Sequence, residues 1–352
     1  MPAVSLCIVN HDGLAHLEAT LPAVAAMRDR FDEILLCDNA SRDEGPEFFE
    51  QVLPEGRVLR LAENRSPGAA RSAGFTAARN DLVLFADNDI HLDANALDQL
   101  ITAVEADPRC VIALPRVVLL RRPDRIQYEG AWCHWLGHMI LREEDALRAP
   151  ASSAPVAVDS MISACFLIVR SRWPEPQFFD AGYRFYYEDH DVGVRARLAG
   201  LKVLAVPAAT VLHGEGTPQL SLRPGGAYAP RRIRTMIEGR WRHLAKNVST
   251  RSLLILGPAL LAYECLQFGA LLAKGWLPHW WSAVRATARD LPGLRAERRR
   301  IQRARRTRDR ELLRGGPLPF KPELLPQRPA RAAMAACNGL FSLYWWLARR
   351  LL

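Results

Sequence analysis

The sequence predicts an α/β protein: a Rossmann-like, mostly parallel sheet with flanking helices, followed by a basic helical C-terminal region. Three observations predict it. Through the first hundred or so residues, short apolar runs alternate with helically spaced segments. Strand, helix, strand, helix is the pattern of a parallel sheet with helices on both faces. Several apolar runs stop in acidic and amide-bearing residues. Beyond about residue 228 the chain turns basic and amphipathic. The expected division is a first domain over 1–228, with halves of about 1–115 and 116–228, and a C-terminal region over 229–352.

Composition is consistent with this. The chain has 352 residues, 49% hydrophobic and 24% charged, which is globular and not disordered. The N-terminal "MPAVSLCIVNHDG" has no basic n-region and no long apolar run, so no secretory signal is expected there. Seven cysteines include no CxxC pair, and most sit in apolar strings, as reduced core cysteines of a cytosolic protein do. The net charge of +9 is uneven: between Arg285 and Arg314 twelve arginines face four acids. Such a run suits an anionic surface or a solvated helical face.

The expected elements run in order. "VSLCIVN" (4–10) is a strand and "HLEATLPAVAAM" (16–27) a helix. "EILLCD" (33–38) and "EFFEQVL" (47–53) repeat the pair, as do "RVLRLA" (57–62) and "GAARSAGFTAAR" (68–79). "DLVLFAD" (81–87), "ANALDQLITAVEA" (94–106) and "CVIALP" (110–115) complete the first half. The pattern loosens from 116 to 158. "ISACFLIVR" (162–170) reads as a buried strand and "YEDHDVGVRARLAG" (187–200) as a helix closed by Gly200. "LKVLAVP" (201–207) reads as a strand ending just before "ATVLHGEG". "SLLILGPALLAYECLQFGALLA" (252–273) is long enough to span a bilayer. Pro258, Glu264 and Gln267 inside it favour a surface or re-entrant helix. The tail "GLFSLYWWLARRLL" pairs aromatics with arginines, as membrane interfaces do.

Candidate chemistry gathers at the strand ends. In an open parallel sheet, ligands bind beyond the carboxyl ends of the strands. "DLVLFADND" runs into Asp87, Asn88 and Asp89. In extended backbone residues i and i+2 point the same way, so Asp87 and Asp89 are expected to converge where a ligand sits, and two convergent carboxylates call for a cation such as Mg²⁺ or Mn²⁺. "LLCDNASRD" ends a second strand in Asp38, Asn39 and Ser41. "ENRSPGAARSAG" opens a small-residue helix at Pro67-Gly68, whose first amides favour a phosphate, with Arg71 one turn in. No GxGxxG follows the first strand, so the dinucleotide fingerprint is missing. "FYYEDHD" (185–191) sets three aromatics before Glu188, Asp189, His190 and Asp191. Acids suit a helix N-terminus, and the aromatic wall suggests a partly buried acid cluster in a pocket.

With these pieces in order, "SLCIVNHDG", "LCDNASRD", "ENRSPGAARSAG", "LFADND", "FDAGYRFYYEDHDVGVRARLAG" and "VLHGEG", the chain resembles the family 2 glycosyltransferases of GT-A fold, especially bacterial rhamnosyltransferase-like members. The resemblance covers roughly residues 4–215. It implies a nucleotide-sugar half over about 1–115 and an acceptor half over about 116–228. It also implies a nucleotide-diphosphate-sugar donor, of UDP or dTDP type, a divalent Mn²⁺ or Mg²⁺, and inverting transfer. By that resemblance Asp38 bonds the donor base, with Asn10, Asn39 and Ser41 nearby. Arg71 lies beside the nucleotide and phosphates. Asp87 and Asp89 are the D-x-D pair, Asp89 the more direct metal ligand, and His213 is a further metal or diphosphate contact. Asp189 is the catalytic base, with Glu188 the alternative, while Asp191 and Arg195 orient the helix. Ser72 and Ser163 depart from the usual Asn and Gly. "IEGRW" (237–241) resembles the Q-x-x-R-W signature of processive synthases, but Ile237 replaces the Gln, so single-sugar addition is expected.

The expected function is therefore transfer of one sugar to a glycan or polyprenyl-linked acceptor at the cytoplasmic face of the membrane, with the C-terminal region on the membrane surface and no nucleic-acid partner. Two other readings remain. A nucleotidyltransferase uses a similar sheet but wants a Gly-rich phosphate loop after the first strand, which "NHDGLAHLE" is not. A basic scaffold or nucleic-acid-binding protein would have no use for acids at 38, 87, 89 and 189.

Overall fold

The structure, a computed structural model, describes residues 2–148, 154–214, 230–318 and 328–352. The chain forms two compact units: Met1–Ala131 with Leu141–Ala229, and Trp132–Ile140 with Pro230–Leu352. The boundary expected near residue 228 lies outside the described residues, which resume at Pro230. One segment departs from the sequence reading: Trp132–Ile140, expected in the first domain, groups with the second unit.

The first unit begins with the alternation read from the sequence. β1 (Val4–Asn10), α1 (Leu14–Ala26), β2 (Glu33–Asp38), α2 (Gly45–Val52), β3 (Arg57–Arg60), α3 (Pro67–Ala77) and β4 (Leu82–Asp87) follow in turn. Then come β5 (Ile90–His91), α4 (Ala94–Ala106), β6 (Cys110–Leu119), β7 (Arg122–Tyr128), β8 (Ala131–His134), β9 (Met139–Leu141), β10 (Val156–Val158), β11 (Cys165–Val169), α5 (Glu188–Leu198) and β12 (Lys202–His213), of which β8 and β9 lie mostly in the second unit. The main sheet runs β10-β12-β6-β11-β4-β1-β2-β3, with β5 on β12 and β7 on β6. β3, β2, β1 and β4 are parallel, as are β6 and β12; β11 is antiparallel to both β4 and β6. The sheet is thus parallel-rich but mixed.

Both faces are covered, which is why these strands read as continuous apolar runs. Leu17, Leu21 and Val24 of α1, Phe49 of α2, and Leu97, Leu100 and Val104 of α4 join Leu6, Ile8, Leu36 and Leu84 in one core cluster. α3 packs on the opposite face. There a methyl group on Gly74 would stand 2.6 Å from Cys37 Sγ, so only glycine permits that approach. Cys7, Cys37, Cys110 and Cys165 are free and buried, while Cys265 of the second unit is exposed.

One strand is longer than expected. β12 continues through Thr210 to His213, with a register irregularity between Val206 and Thr210. Pairing with β6 over Thr210–His213 and with β5 through Leu212 and His213 carries it on. An irregularity of this kind bends a strand and re-aims its side chains, and no feature of a lone apolar run announces it.

The second unit is helical: α6 (Pro230–Asn247), α7 (Thr250–Ala273), α8 (Leu277–Arg289), α9 (Leu291–Ala304), α10 (Asp309–Leu312), the short β13 (Leu313–Arg314) on β8, and α11 (Arg328–Ala348). Ser249 caps α7 by accepting from Ser252 N at 3.1 Å. Glu264, within the apolar run of α7, is paired with Arg240 and accepts from Trp241 Nε1 at 2.9 Å. Trp135 is buried and stacks on Trp345 at 5.5 Å.

Candidate active site

The register of the parallel strands sets one edge. Asn10 lies opposite Asp38, and Val9 opposite Asp87, so β1, β2 and β4 end side by side. A hydrogen-bonded polar network fills the first part of this edge. Asn10 Nδ2 donates to Asp38 Oδ1 at 3.1 Å and to Ser41 Oγ at 3.1 Å. Ser41 N donates to Asp38 Oδ2 at 3.0 Å. Asn39 Nδ2 donates to Asn64 Oδ1 at 2.9 Å. Asn10, Asp38 and Asn39 are buried, and burial without such partners would cost each polar group free energy.

Two residues assigned no role from sequence, Asn88 and Gly13, hold this corner. Asn88 Nδ2 donates to Asn10 Oδ1 at 2.7 Å. A Cβ on Gly13 would sit 1.9 Å from Asn88 Nδ2 and 2.4 Å from Asn10 Oδ1. Gly13 is therefore the glycine that lets the start of α1 close over the amide pair.

The two acids of "DND" do not share one environment. β4 ends at Asp87 and the chain turns at 88–89. The alternation that would align i and i+2 holds only while the backbone stays extended. Asp87 Oδ1 accepts from Arg71 Nη2 at 2.6 Å. Asp89 Oδ2 instead faces His213 Nε2 at 3.2 Å. Arg71, expected beside the donor phosphates, is buried beneath the site: its guanidinium is 3% exposed and its carbon lies 5.9 Å from the Phe179 ring. Burial pushes the Asp87 carboxyl up, Arg71 opposes the rise and Asp89 adds to it.

The second acid pair opens α5. Tyr186 and Tyr187 have φ of 64° and 67°, two consecutive left-handed residues without glycine. Such conformations are costly for bulky side chains and cluster at functional sites. Here they bring the chain abruptly into the helix, so that Glu188 and Asp189 face inward, 6% and 8% exposed. Asp189 Oδ2 accepts from Ser163 N at 3.0 Å and Oδ1 from His190 N at 2.7 Å. Both bonds favour its charged form. Burial raises the Asp189 carboxyl and these amides limit the rise. Glu188 Oε2 is buried without a hydrogen-bond partner, and burial, with Asp189 beside it, pushes its carboxyl up to about 8. Tyr187 is buried in the packing; Phe185 and Tyr186 are half-buried.

The rest of α5 anchors the pair. Asp191 Oδ2 accepts from Arg195 Nε at 2.8 Å, both fully buried, and Arg195 also pairs with Glu175. Its carbon lies 5.0 Å from the Trp173 ring. A Cβ on Gly193 would stand 2.2 Å from Met161 N. That close approach draws α5 onto the 160–163 backbone, which supplies the Ser163 amide to Asp189. The signal was available, because a glycine inside a helix costs about 1 kcal/mol and usually marks a close contact. Gly200 closes the helix as expected, at φ 84°.

Arg71 ties the two acid pairs electrostatically: the carboxylates of Asp87, Glu188 and Asp189 together hold its guanidinium charged against burial. With Asp89, four carboxyls meet one buried guanidinium, an excess of negative charge. A bound cation or a retained proton relieves it. The chemistry of the Asp89–His213 pair fits a divalent cation. An oxygen and an imidazole nitrogen 3.2 Å apart match two adjacent ligands at about 2.1 Å from one ion.

Residues 5–161 match the model of the family described as glycosyl transferase family 2. The chain carries a family 2 glycosyltransferase domain over those residues. An N-acetylglucosaminyl-diphospho-decaprenol L-rhamnosyltransferase of Mycobacterium tuberculosis is 29% identical over 227 residues, 56% of this glycosyltransferase and 71% of that protein. The putative glycosyltransferase EpsH of Bacillus subtilis is 24% identical over 113 residues, 32% and 33% of the two chains. Among solved structures, GalNAc-T7, crystallised with UDP, GalNAc and Mn²⁺, superposes with a TM-score of 0.55 at 20% identity over 70% of this chain. The present chain covers 48% of GalNAc-T7, about half its length. Residues 1–349 of TarS from S. aureus superpose with a TM-score of 0.51 at 13% identity, covering 86% of each chain. These two likenesses are of fold, and the fold is GT-A. The reaction class that the family match carries is sugar transfer.

Proposed function

We propose that this glycosyltransferase moves one sugar, with inversion, from a UDP- or dTDP-sugar to a hydroxyl of a polyprenyl-diphosphate-linked glycan precursor at the cytoplasmic face of the membrane. The observation that carries the reading is the single charge-stabilised carboxylate of Asp189, held by two backbone amides across Arg71 from the D-x-D end of β4. Direct displacement needs one base on the face opposite the leaving group. Asp189 takes the proton of the acceptor hydroxyl as its oxygen bonds to the anomeric carbon, and the bond from that carbon to the diphosphate breaks. Glu188, protonated at neutral pH, leaves Asp189 as the base. Asp38, Asn10, Asn39 and Ser41 form the corner that receives the nucleoside. Asp89 and His213 would hold Mg²⁺ or Mn²⁺, which when bound supplies positive charge to the departing diphosphate.

Membrane attachment is supported within the second unit. α7 is long and apolar enough to cross a membrane. Its one acid, Glu264, is turned to Arg240 and Trp241, while Leu254, Leu261 and Leu272 are exposed. Arg251 and Lys274, both exposed, bracket that face. α11 exposes Leu340, Leu343, Trp346 and Leu347. Charged ends around an uncharged face suit a helix lying in the interface. The acceptor follows from this surface and from the decaprenol-linked substrate named for the mycobacterial relative.

The test is binding and hydrolysis of a panel of nucleotide-sugars with Mn²⁺, Mg²⁺ and EDTA. Metal-dependent selection of one UDP- or dTDP-sugar is expected. Equal turnover in EDTA would remove the metal from the reading, and binding of no donor by folded protein would remove the donor site.

A further inference from the structure

The imidazole of His213 faces an oxygen on each side. Its Nδ1 lies 2.7 Å from Gln127 Oε1 on β7, and its Nε2 lies 3.2 Å from Asp89 Oδ2. A neutral imidazole has one N–H and one lone pair, so it donates to only one of them. Gln127 Oε1 is an acceptor. With Nδ1–H given to Gln127, the Nε2 lone pair is aimed at the Asp89 carboxylate, and the two electron-rich atoms face each other at a spacing suited to a shared cation.

The backbone around this contact is already pinned. His213 pairs with Ile90 in β5. Leu120 N donates to His213 O at 2.9 Å, and Gly214 N donates to Asp89 O at 2.9 Å. A Cβ on Gly214 would stand 3.2 Å from Asp89 Cβ, tighter than side chains normally pack, so glycine keeps the two segments together. The remaining freedom is in the ring: its rotation and its tautomer. A hydrogen bond to the far nitrogen sets both in histidine ligands.

We propose that Gln127 is a positioning residue for the cation site: by accepting the Nδ1 proton it presents the Nε2 lone pair of His213 beside Asp89. The inference rests on the reading of Asp89 and His213 as cation ligands. Gln127 touches neither donor nor cation in this scheme. It acts through His213 alone.

The experiment is Mn²⁺ titration of the full-length chain without donor or acceptor, free Mn²⁺ read by electron paramagnetic resonance, and repeated with UDP. Removing an outer hydrogen-bond partner of a metal ligand typically costs about 10–100-fold in affinity, and Gln127→Leu is expected to lose that much. Gln127→Glu keeps an acceptor of the same reach and is expected to retain affinity. Gln127→Asn, too short to reach, serves as a second loss variant should Gln127→Leu fail to fold. Gln127→Leu in a His213→Ala background is expected to cost nothing more. Unchanged Mn²⁺ affinity in Gln127→Leu and Gln127→Asn, or equal loss in Gln127→Glu, overturns the positioning role while leaving the ligand reading intact. Unchanged affinity in His213→Ala overturns the ligand reading itself, and Gln127 with it.

Discussion

The two acid pairs of the first unit have the same chemistry and opposite settings. Asp87 and Asp89 stand at the end of a strand and face a guanidinium and an imidazole, Arg71 and His213. Glu188 and Asp189 stand at the start of a helix, buried, and the hydrogen bonds to Asp189 come from backbone amides. A guanidinium partner neutralises a carboxylate, whereas an imidazole lone pair beside one suits a shared cation. Amide partners keep a carboxylate ionised but unpaired, free to take a proton. The difference teaches that a carboxylate's task here is decided by what donates to it, since adjacent acids in sequence receive different donors.

The largest expected effect separates the members of the helical pair. Asp189→Asn keeps the amide contacts on one side but removes the base, and transfer should fall by about 10²–10⁴-fold with donor binding retained, measured by acceptor turnover against donor affinity. Glu188→Gln should retain most of the transfer, since it mimics the protonated acid. If Glu188→Gln is the dead variant and Asp189→Asn the active one, the assignment of the base reverses.

The next effect splits the strand-end pair. Asp89→Asn, which removes a direct ligand, should weaken metal activation by more than the roughly 10–100-fold typical of an outer-shell partner, with little change in melting. Asp87→Asn leaves the buried Arg71 guanidinium without its ion-pair partner, and should cost stability by about 1–3 kcal/mol, below the usual loss for a fully buried pair because Asp87 is partly exposed. Urea unfolding beside metal titration reads both. Equal profiles for the two variants would mean that the pair acts as one ligand set after all.

Gly193→Ala tests how the amide donor reaches Asp189. The added methyl meets the Met161 backbone, so α5 must shift, at about 1–3 kcal/mol for overpacking. Transfer should drop further than stability explains, because the Ser163–Asp189 bond lengthens. Full activity with normal melting would show that this amide is dispensable.

The remaining effect is in pH dependence. Glu188 holds a proton up to about pH 8 in the folded state, against an ordinary value of 4.5. Between those values the folded protein binds a proton that the unfolded chain has released. Stability therefore falls as pH rises through that window and levels off above it. Glu188→Gln should lose less stability between about pH 5 and about pH 8.5, measured by urea midpoints. A parallel decline in both proteins would remove the raised Glu188 from the account.

Much of the site was legible without coordinates. Asp38, Asn39 and Ser41 close an apolar run, and the strand-end rule alone sets them beside Asn10. The acid cluster at 188–191 was legible from the abrupt change of aromatics to acids. What was not legible depends on chain paths. The turn after Asp87 separates the directions of Asp87 and Asp89, and Arg71 reads as a phosphate contact until the fold buries it under the site. Gln127 sits in a stretch with no periodic signal, and its role exists only because β12 runs on to His213.

By itself the sequence determined the strand–helix alternation and the edge at which chemistry gathers, because hydrophobic period and strand-end composition are local properties. Tertiary structure alone decided which acid faces Arg71, which faces His213 and which is held by amides. Those pairings join residues far apart in the chain, and they depend on close backbone approaches at Gly13, Gly193 and Gly214 whose consequences appear only when the second segment is in place.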